Sequence, residues 1–179
     1  MNRVAFVFAV VAGMMIAENR LSRRNEGTLR ARGAVVPPGD PYVALSALYV
    51  GAFIAMAFEG AWRARNGAPS PTGAPAWALS GALLFAASKA LKYWAISALG
   101  DRWSFRVIVE PGRPLVNSGP YRYIAHPNYV AVIGELVGAA MMLGAPYVGV
   151  IGTLAFGAAL AARVRFESRV LAPMRPARK

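Results

Sequence analysis

Histidine occurs once in this chain, at His126, inside the tetrapeptide His126-Pro127-Asn128-Tyr129. Proline directly after it suits the first turn of a helix. The amide groups left free at such a start favour an anionic ligand group, and a carboxylate or a ribose hydroxyl could dock there. The plainer alternative is an interfacial helix start with Tyr129 as a membrane-belt aromatic. Further along, Arg163 and Glu167 stand four residues apart, so both project from one helical face. They suit a zwitterionic ligand, or they stabilise a helix end. Glu135 lies inside an apolar run, where an ionisable group is costly and faces a partner or a cavity. Lys89 and Lys92 are its candidate partners. With one histidine and no cysteine, a His-cluster or thiolate metal site is excluded, and so is a disulfide framework.

Residues 100–128 concentrate the remaining polar chemistry: Asp101, Arg102, Trp103, Arg106, Glu110, Arg113, Tyr121, Arg122 and Tyr123. The segment is too long for a plain connector, and long loops in compact proteins are usually functional or disordered. Its aromatics predict an ordered site at a membrane interface. The competing reading is a solvated basic loop held by anionic lipid headgroups.

Apolar helices must position these residues. The chain is 56% hydrophobic and 16% charged, against roughly 25% charged in a soluble domain. The deficit points to lipid. A formal net charge of +12 in a soluble protein would suggest nucleic acid. Here the basic residues fall between apolar runs, so the excess reads as topology, with no nucleic-acid partner. Five apolar segments are legible, at about residues 2–17, 42–62, 75–99, 129–143 and 147–162. The first is short, and a signal peptide competes for it. Against that, Met15 and Ala17 make a poor cleavage site, and the basic residues 20–24 resist translocation. If they do not pair with Glu135, Lys89 and Lys92 can snorkel to the nearer interface. Gly144-Ala145-Pro146 predicts a tight turn and an antiparallel hairpin of the last two spans. Gly134, Gly138, Gly149, Gly152 and Gly157 predict close helix packing. None follows a strand, so no soluble-type nucleotide fold is expected.

The expectation is therefore an all-α integral membrane bundle of about five transmembrane helices, one domain over residues 1–179. Arg20, Arg23, Arg24, Arg30 and Arg32 fall in the first loop, and Arg102, Arg106, Arg113 and Arg122 in the third. Arg163, Arg165, Arg169, Arg175, Arg178 and Lys179 form the tail. Only Arg3, Arg63 and Arg65 fall on the other side. The positive-inside rule places the C-terminus in the cytoplasm and the N-terminus outside.

The run Leu115-Val116, Gly119-Pro120-Tyr121, then Ala125-His126-Pro127-Asn128-Tyr129 resembles the isoprenylcysteine carboxyl methyltransferase family. So does the closing segment from Arg163 through Glu167 to Leu171. The segments Glu18 to Asn25 and Arg102-Trp103 to Gly112 are similar to a bacterial, integral-membrane branch of it. Some members of that branch appear alongside polyketide synthases and methylate long-chain phenols or pyrones. The resemblance implies an S-adenosylmethionine-dependent O-methyltransferase with its cofactor site within residues 100–171. It implies cofactor contacts from Leu115, Val116, Tyr121, His126, Pro127, Asn128, Tyr129 and Glu167. Arg163 matches a residue that contacts the methyl acceptor, with Trp103 and Arg106 expected beside it. Arg163 and Glu167 are the expected catalytic pair, and no metal is implied. Ala125 replaces an arginine, Ser168 a glutamate, and Arg113 stands where the prenylcysteine enzymes have histidine. These departures bear on the acceptor more than on the cofactor.

The physical logic agrees. A polar donor arriving from the cytoplasm and a lipophilic acceptor arriving from the bilayer can meet at the cytoplasmic face of a bacterial membrane. Catalysis would come mainly from positioning. A carboxylate acceptor needs a cation such as Arg163. A hydroxyl acceptor needs a base, for which His126 or Glu167 is available. The alternatives are an NADPH-dependent membrane sterol or enone reductase and a non-catalytic scaffold or transport subunit. For transport, Glu59, Lys89, Lys92 and Glu135 are the only hints of a polar path.

Overall fold

A computed structural model describes residues 3–67 and 75–172. Five helices follow in order: α1 Arg3–Ala31, α2 Tyr42–Arg65, α3 Pro75–Leu99, α4 Pro127–Leu143 and α5 Pro146–Leu171. Short 3₁₀ turns at Gly100–Arg102 and Gly119–Arg122 punctuate the long connection from α3 to α4. Among the described residues there is no strand, only one antiparallel bridge between Val35 and Val109. The expected start at Asn2 and the tail with Arg175, Arg178 and Lys179 lie outside the described residues.

The surface confirms lipid as the solvent. Phe58, Ile151 and Leu154 are largely exposed on helix faces, which water would not tolerate in so continuous a band. Four helices are long and apolar enough to cross a membrane: α1, α2, α3 with its 3₁₀ extension, and α5. α4 is the exception, with 17 residues. At about 1.5 Å per residue it is roughly 25 Å long, less than the hydrocarbon thickness of about 30 Å. It is also the most enclosed helix, packed by α3, α5, α2 and α1. Its unsatisfied end therefore meets protein, not lipid.

Close packing depends on absent side chains. A Cβ on Gly138 would fall 2.8 Å from the Gly81 carbonyl oxygen, and one on Gly134 would collide with Ser88. α3 and α4 thus approach backbone to backbone. The α4–α5 hairpin closes as expected, with Gly144 in the left-handed conformation (φ 69°) and its N–H turned back to the Ala140 and Met141 carbonyls.

Three expectations need correction. The first apolar segment does not stop near Ala17, because α1 continues to Ala31 through the basic stretch. Glu18, Ser22, Asn25 and Leu29 form a buried stripe along it, while Arg20 and Arg24 project outward. That stripe is mostly polar, so no apolar periodicity announces it. Secondly, Lys89 and Lys92 do not snorkel: both are buried against carboxylates. Thirdly, Glu59 lies on no polar path. It caps α5, accepting the Tyr147 and Val148 amides at 3.3 and 2.7 Å, where a carboxylate suits the positive end of the helix.

The connection from α3 to α4 is an ordered cap. Asn25 donates to the Trp103 carbonyl at 2.8 Å, and Ser22 Oγ accepts the Phe105 amide at 2.9 Å. Val35 and Val109 exchange both backbone bonds at 2.9 Å. At the far end Gly119, with φ 57°, lies flat on α3, where a Cβ would sit 2.8 Å from that of Ala98.

Candidate active site

Beneath the cap lies a cavity of about 700 Å³, within the roughly 300–1,000 Å³ usual for small-molecule and cofactor sites. Every residue singled out in the sequence as a cofactor or acceptor contact reaches it. Leu115, Val116 and Tyr121 come from the cap, with Trp103 and Arg106 nearer its start. His126, Pro127, Asn128 and Tyr129 come from the start of α4, and Arg163 and Glu167 from the last turns of α5. Of the cap's other polar residues, Asp101, Arg113, Arg122 and Tyr123 do not line it. Asp101 pairs with Arg32 at 2.6 Å and Arg113 with Glu110 at 3.3 Å, and of these four Glu110 alone lines the cavity.

Pro127 opens α4 at its first position, and the His126 carbonyl accepts the Tyr129 and Val130 amides at 3.1 and 3.3 Å. The His126 and Tyr129 rings then stack, 5.2 Å between centroids. The Tyr129 hydroxyl donates to Glu167 Oε2 at 2.5 Å and accepts Arg163 Nε at 2.9 Å. His126 Nδ1 stands 3.8 Å from the same Glu167 oxygen. The Asn128 side-chain oxygen is buried and has no hydrogen-bond partner among the described residues. Burial, then the charge of Glu167, holds the Tyr121 phenol well above its ordinary range.

Arg163 is spanned by protein groups. Besides Tyr129 it reaches Asp40 Oδ1 at 3.1 Å through Nη1 and the Phe105 carbonyl through Nη2. Asp40, in the turn before α2, is a residue that sequence reasoning missed. A lone aspartate between Gly39 and Pro41 reads as an ordinary turn former. Arg106 lies over the Tyr42 ring, 4.7 Å from its centroid, and 3.7 Å from Glu26. Trp103 is almost wholly buried and packs edge-on against Phe105.

Away from this polar end the cavity turns apolar between α1, α2 and α5, lined by Val11, Met15, Phe53, Phe156 and Leu160. One polar group interrupts it. Lys92 joins Glu18 at 3.1 Å and Glu135 at 2.8 Å, while Lys89 joins them at 2.6 and 3.2 Å. The Tyr49 hydroxyl donates to Glu135. Two lysines against two glutamates balance, as burial of charge requires. The pairing of Glu135 with Lys89 and Lys92 was legible in the sequence, but Glu18 and Tyr49 were not.

The comparisons decide the lineage. The model of the isoprenylcysteine carboxyl methyltransferase (ICMT) family matches residues 81–173, more than half of the chain. The chain belongs to that family. The matched stretch runs from α3 through the cap to the end of α5, so it contains the cavity-lining residues Leu115, Tyr121, His126, Tyr129, Arg163 and Glu167 but not α1 or Asp40. The chain is also similar over most of its length to two bacterial proteins. One is the uncharacterized protein YpbQ of Bacillus subtilis, 27% identical over 92% of this chain and 94% of that protein. The other is an uncharacterized protein of Haemophilus influenzae, 25% identical over 97% of both. No solved structure matches. Family and fold together make this a methyltransferase-like integral membrane protein.

Proposed function

We propose that the protein transfers a methyl group from S-adenosylmethionine to an oxygen of a lipophilic acceptor at the cytoplasmic face of a bacterial membrane. One observation carries the reading: a single cavity joins a polar end, built by His126, Asn128, Tyr129 and Glu167, to an apolar arm between helices. The residues fit the cofactor. Glu167 offers a carboxylate to a cationic group, the unpartnered Asn128 oxygen offers an acceptor, and Leu115, Val116 and Tyr121 offer apolar surface for a ring. When bound, the cofactor supplies an electrophilic methyl on a positively charged sulfur. Transfer of that methyl to an acceptor oxygen would leave the sulfur as a neutral thioether.

Between the two oxygen acceptors, the engagement of Arg163 favours a hydroxyl. Its guanidinium is already shared among Asp40, Phe105 and Tyr129, which leaves it a poor holder of a substrate carboxylate. His126, with 28% of its side chain exposed beside Glu167, is then the base that takes the hydroxyl proton. The basic ends of α1 and α5 and the basic cap share one end of the bundle, which supports the cytoplasmic placement by the positive-inside rule. The test is methyl transfer from labelled S-adenosylmethionine by detergent-purified protein to a panel of alkylated phenols and prenylcysteines. Label in the phenol extracts, lost on His126→Ala, supports the reading. Label only in prenylcysteine replaces the hydroxyl with a carboxylate acceptor, and no transfer to any acceptor speaks against the reading.

A further inference from the structure

Arginine and glutamate four residues apart on a helix are near enough to pair directly. Arg163 and Glu167 do not, since the Tyr129 hydroxyl stands between them. Asp40 explains the separation. It is fixed independently of Arg163: Oδ1 accepts the Tyr42 amide at 3.2 Å and Oδ2 the Val107 amide at 3.2 Å. Its side chain is 3% exposed and does not line the cavity, and it takes Arg163 Nη1 at 3.1 Å. The two charges cancel, with both side chains largely buried. Glu167 is left with the Tyr129 hydroxyl and His126, and among the described residues no lysine or arginine lies within 4.0 Å of it. Its side chain is 22% exposed at the cavity wall, and its charge is felt by the Tyr121 phenol.

We propose that Asp40 is a positioning residue whose counter-charge keeps Arg163 off Glu167 and so leaves that carboxylate free for a cationic ligand group. The inference rests on the proposed function only in naming the cation, the ammonium at the amino-acid end of the cofactor. Without Asp40 a buried guanidinium loses its counter-ion, and the nearest replacement is Glu167, one turn along the same helix. Asp40 thus governs cofactor affinity without touching the cofactor.

The experiment is calorimetric titration with S-adenosylhomocysteine, which carries the ammonium but no sulfonium. Asp40→Asn is expected to weaken binding about tenfold, while Asp40→Glu, which keeps the charge, stays nearer the wild type. Adding Arg163→Leu to Asp40→Asn restores binding to within about twofold, because no cation remains to occupy Glu167. A purely structural loss would deepen in the double variant, and a double variant as weak as the single overturns the proposal. So does wild-type affinity in Asp40→Asn. Where Asp40→Asn does not fold, the deaminated analogue asks the same question of the wild type. Binding about tenfold weaker than that of S-adenosylhomocysteine supports a free Glu167, and equal binding overturns it. A wild type that binds neither compound refutes the proposed function instead. The inference is then decided by the ligand-free structure of Asp40→Asn: Arg163 turned onto Glu167 upholds it, and Arg163 still on Tyr129 and Phe105 overturns it.

Discussion

At the scale of single residues, Tyr129 is the joint of the polar end. Its hydroxyl hydrogen-bonds both Arg163 and Glu167. Tyr129→Phe removes that oxygen and keeps the ring stacked on His126. Binding of S-adenosylhomocysteine is then expected to fall several-fold with little change in stability. An unchanged affinity would mean that the hydroxyl orients nothing. Tyr121 gives a prediction in pH. Its folded phenol holds a proton more tightly than the ordinary value of 10.0. Its contribution to stability is therefore whole below about pH 10 and is lost as pH rises through the folded value. In detergent, the alkaline loss of melting temperature above pH 10 is expected to be smaller in Tyr121→Phe. That His126, Tyr129, Arg163 and Glu167 would come together was legible because several of the cavity's polar residues belong to a short run with fixed order and spacing. Asp40 was not, because its role arises from a contact across 123 positions of sequence. Nothing local distinguishes it from a turn residue.

At the scale of elements, the decisive feature is how charge fastens α1 to the bundle. α1 packs sparsely, and its buried stripe is Glu18, Ser22, Asn25 and Leu29 rather than a broad apolar face. Glu18 meets Lys89 and Lys92 of α3, and these meet Glu135 of α4. Glu18→Gln leaves two buried ammonium groups with one carboxylate, at a cost of about 3–5 kcal/mol for breaking a buried pair. Unfolding in mixed micelles is expected to show a loss of that order, with Glu18→Gln/Lys89→Met recovering much of it. No recovery would mean that Glu18 acts through packing rather than charge. The extents of α2 and α3 could be read from hydropathy, since their apolar runs match the helices to within a few residues. The extent of α1 could not. Its second half is tied to the cap by Asn25, which donates to the Trp103 carbonyl, and by Ser22, whose hydroxyl accepts the Phe105 amide, and a helix stabilised that way carries no hydrophobic period.

At the scale of the whole molecule, the protein is a helical membrane bundle with one short, enclosed helix, α4, whose start is sealed by an ordered cap. The basic residues of α1, the cap and the end of α5 surround that seal, while Arg65 closes α2 at the opposite end. Natural cysteine is absent, so single cysteines report topology cleanly. Arg113→Cys is expected to resist an impermeant thiol reagent in intact cells, and Arg65→Cys to react. The reverse pattern would turn the bundle over and place the cavity mouth outside the cell. The all-α class and the number of apolar segments were legible in composition and run length. The cavity was not legible, because it is lined by residues from α1, α2, the cap, α4 and α5 that come together only in the fold. The measurement that bears most directly on the central claim is titration of the detergent-purified protein with S-adenosylhomocysteine, alongside His126→Ala and Glu167→Ala. Micromolar binding by the wild type, weakened about tenfold or more in both variants, is the predicted result. A folded wild type that shows no binding, or variants that bind equally well, would contradict the assignment of this cavity to the methyl donor.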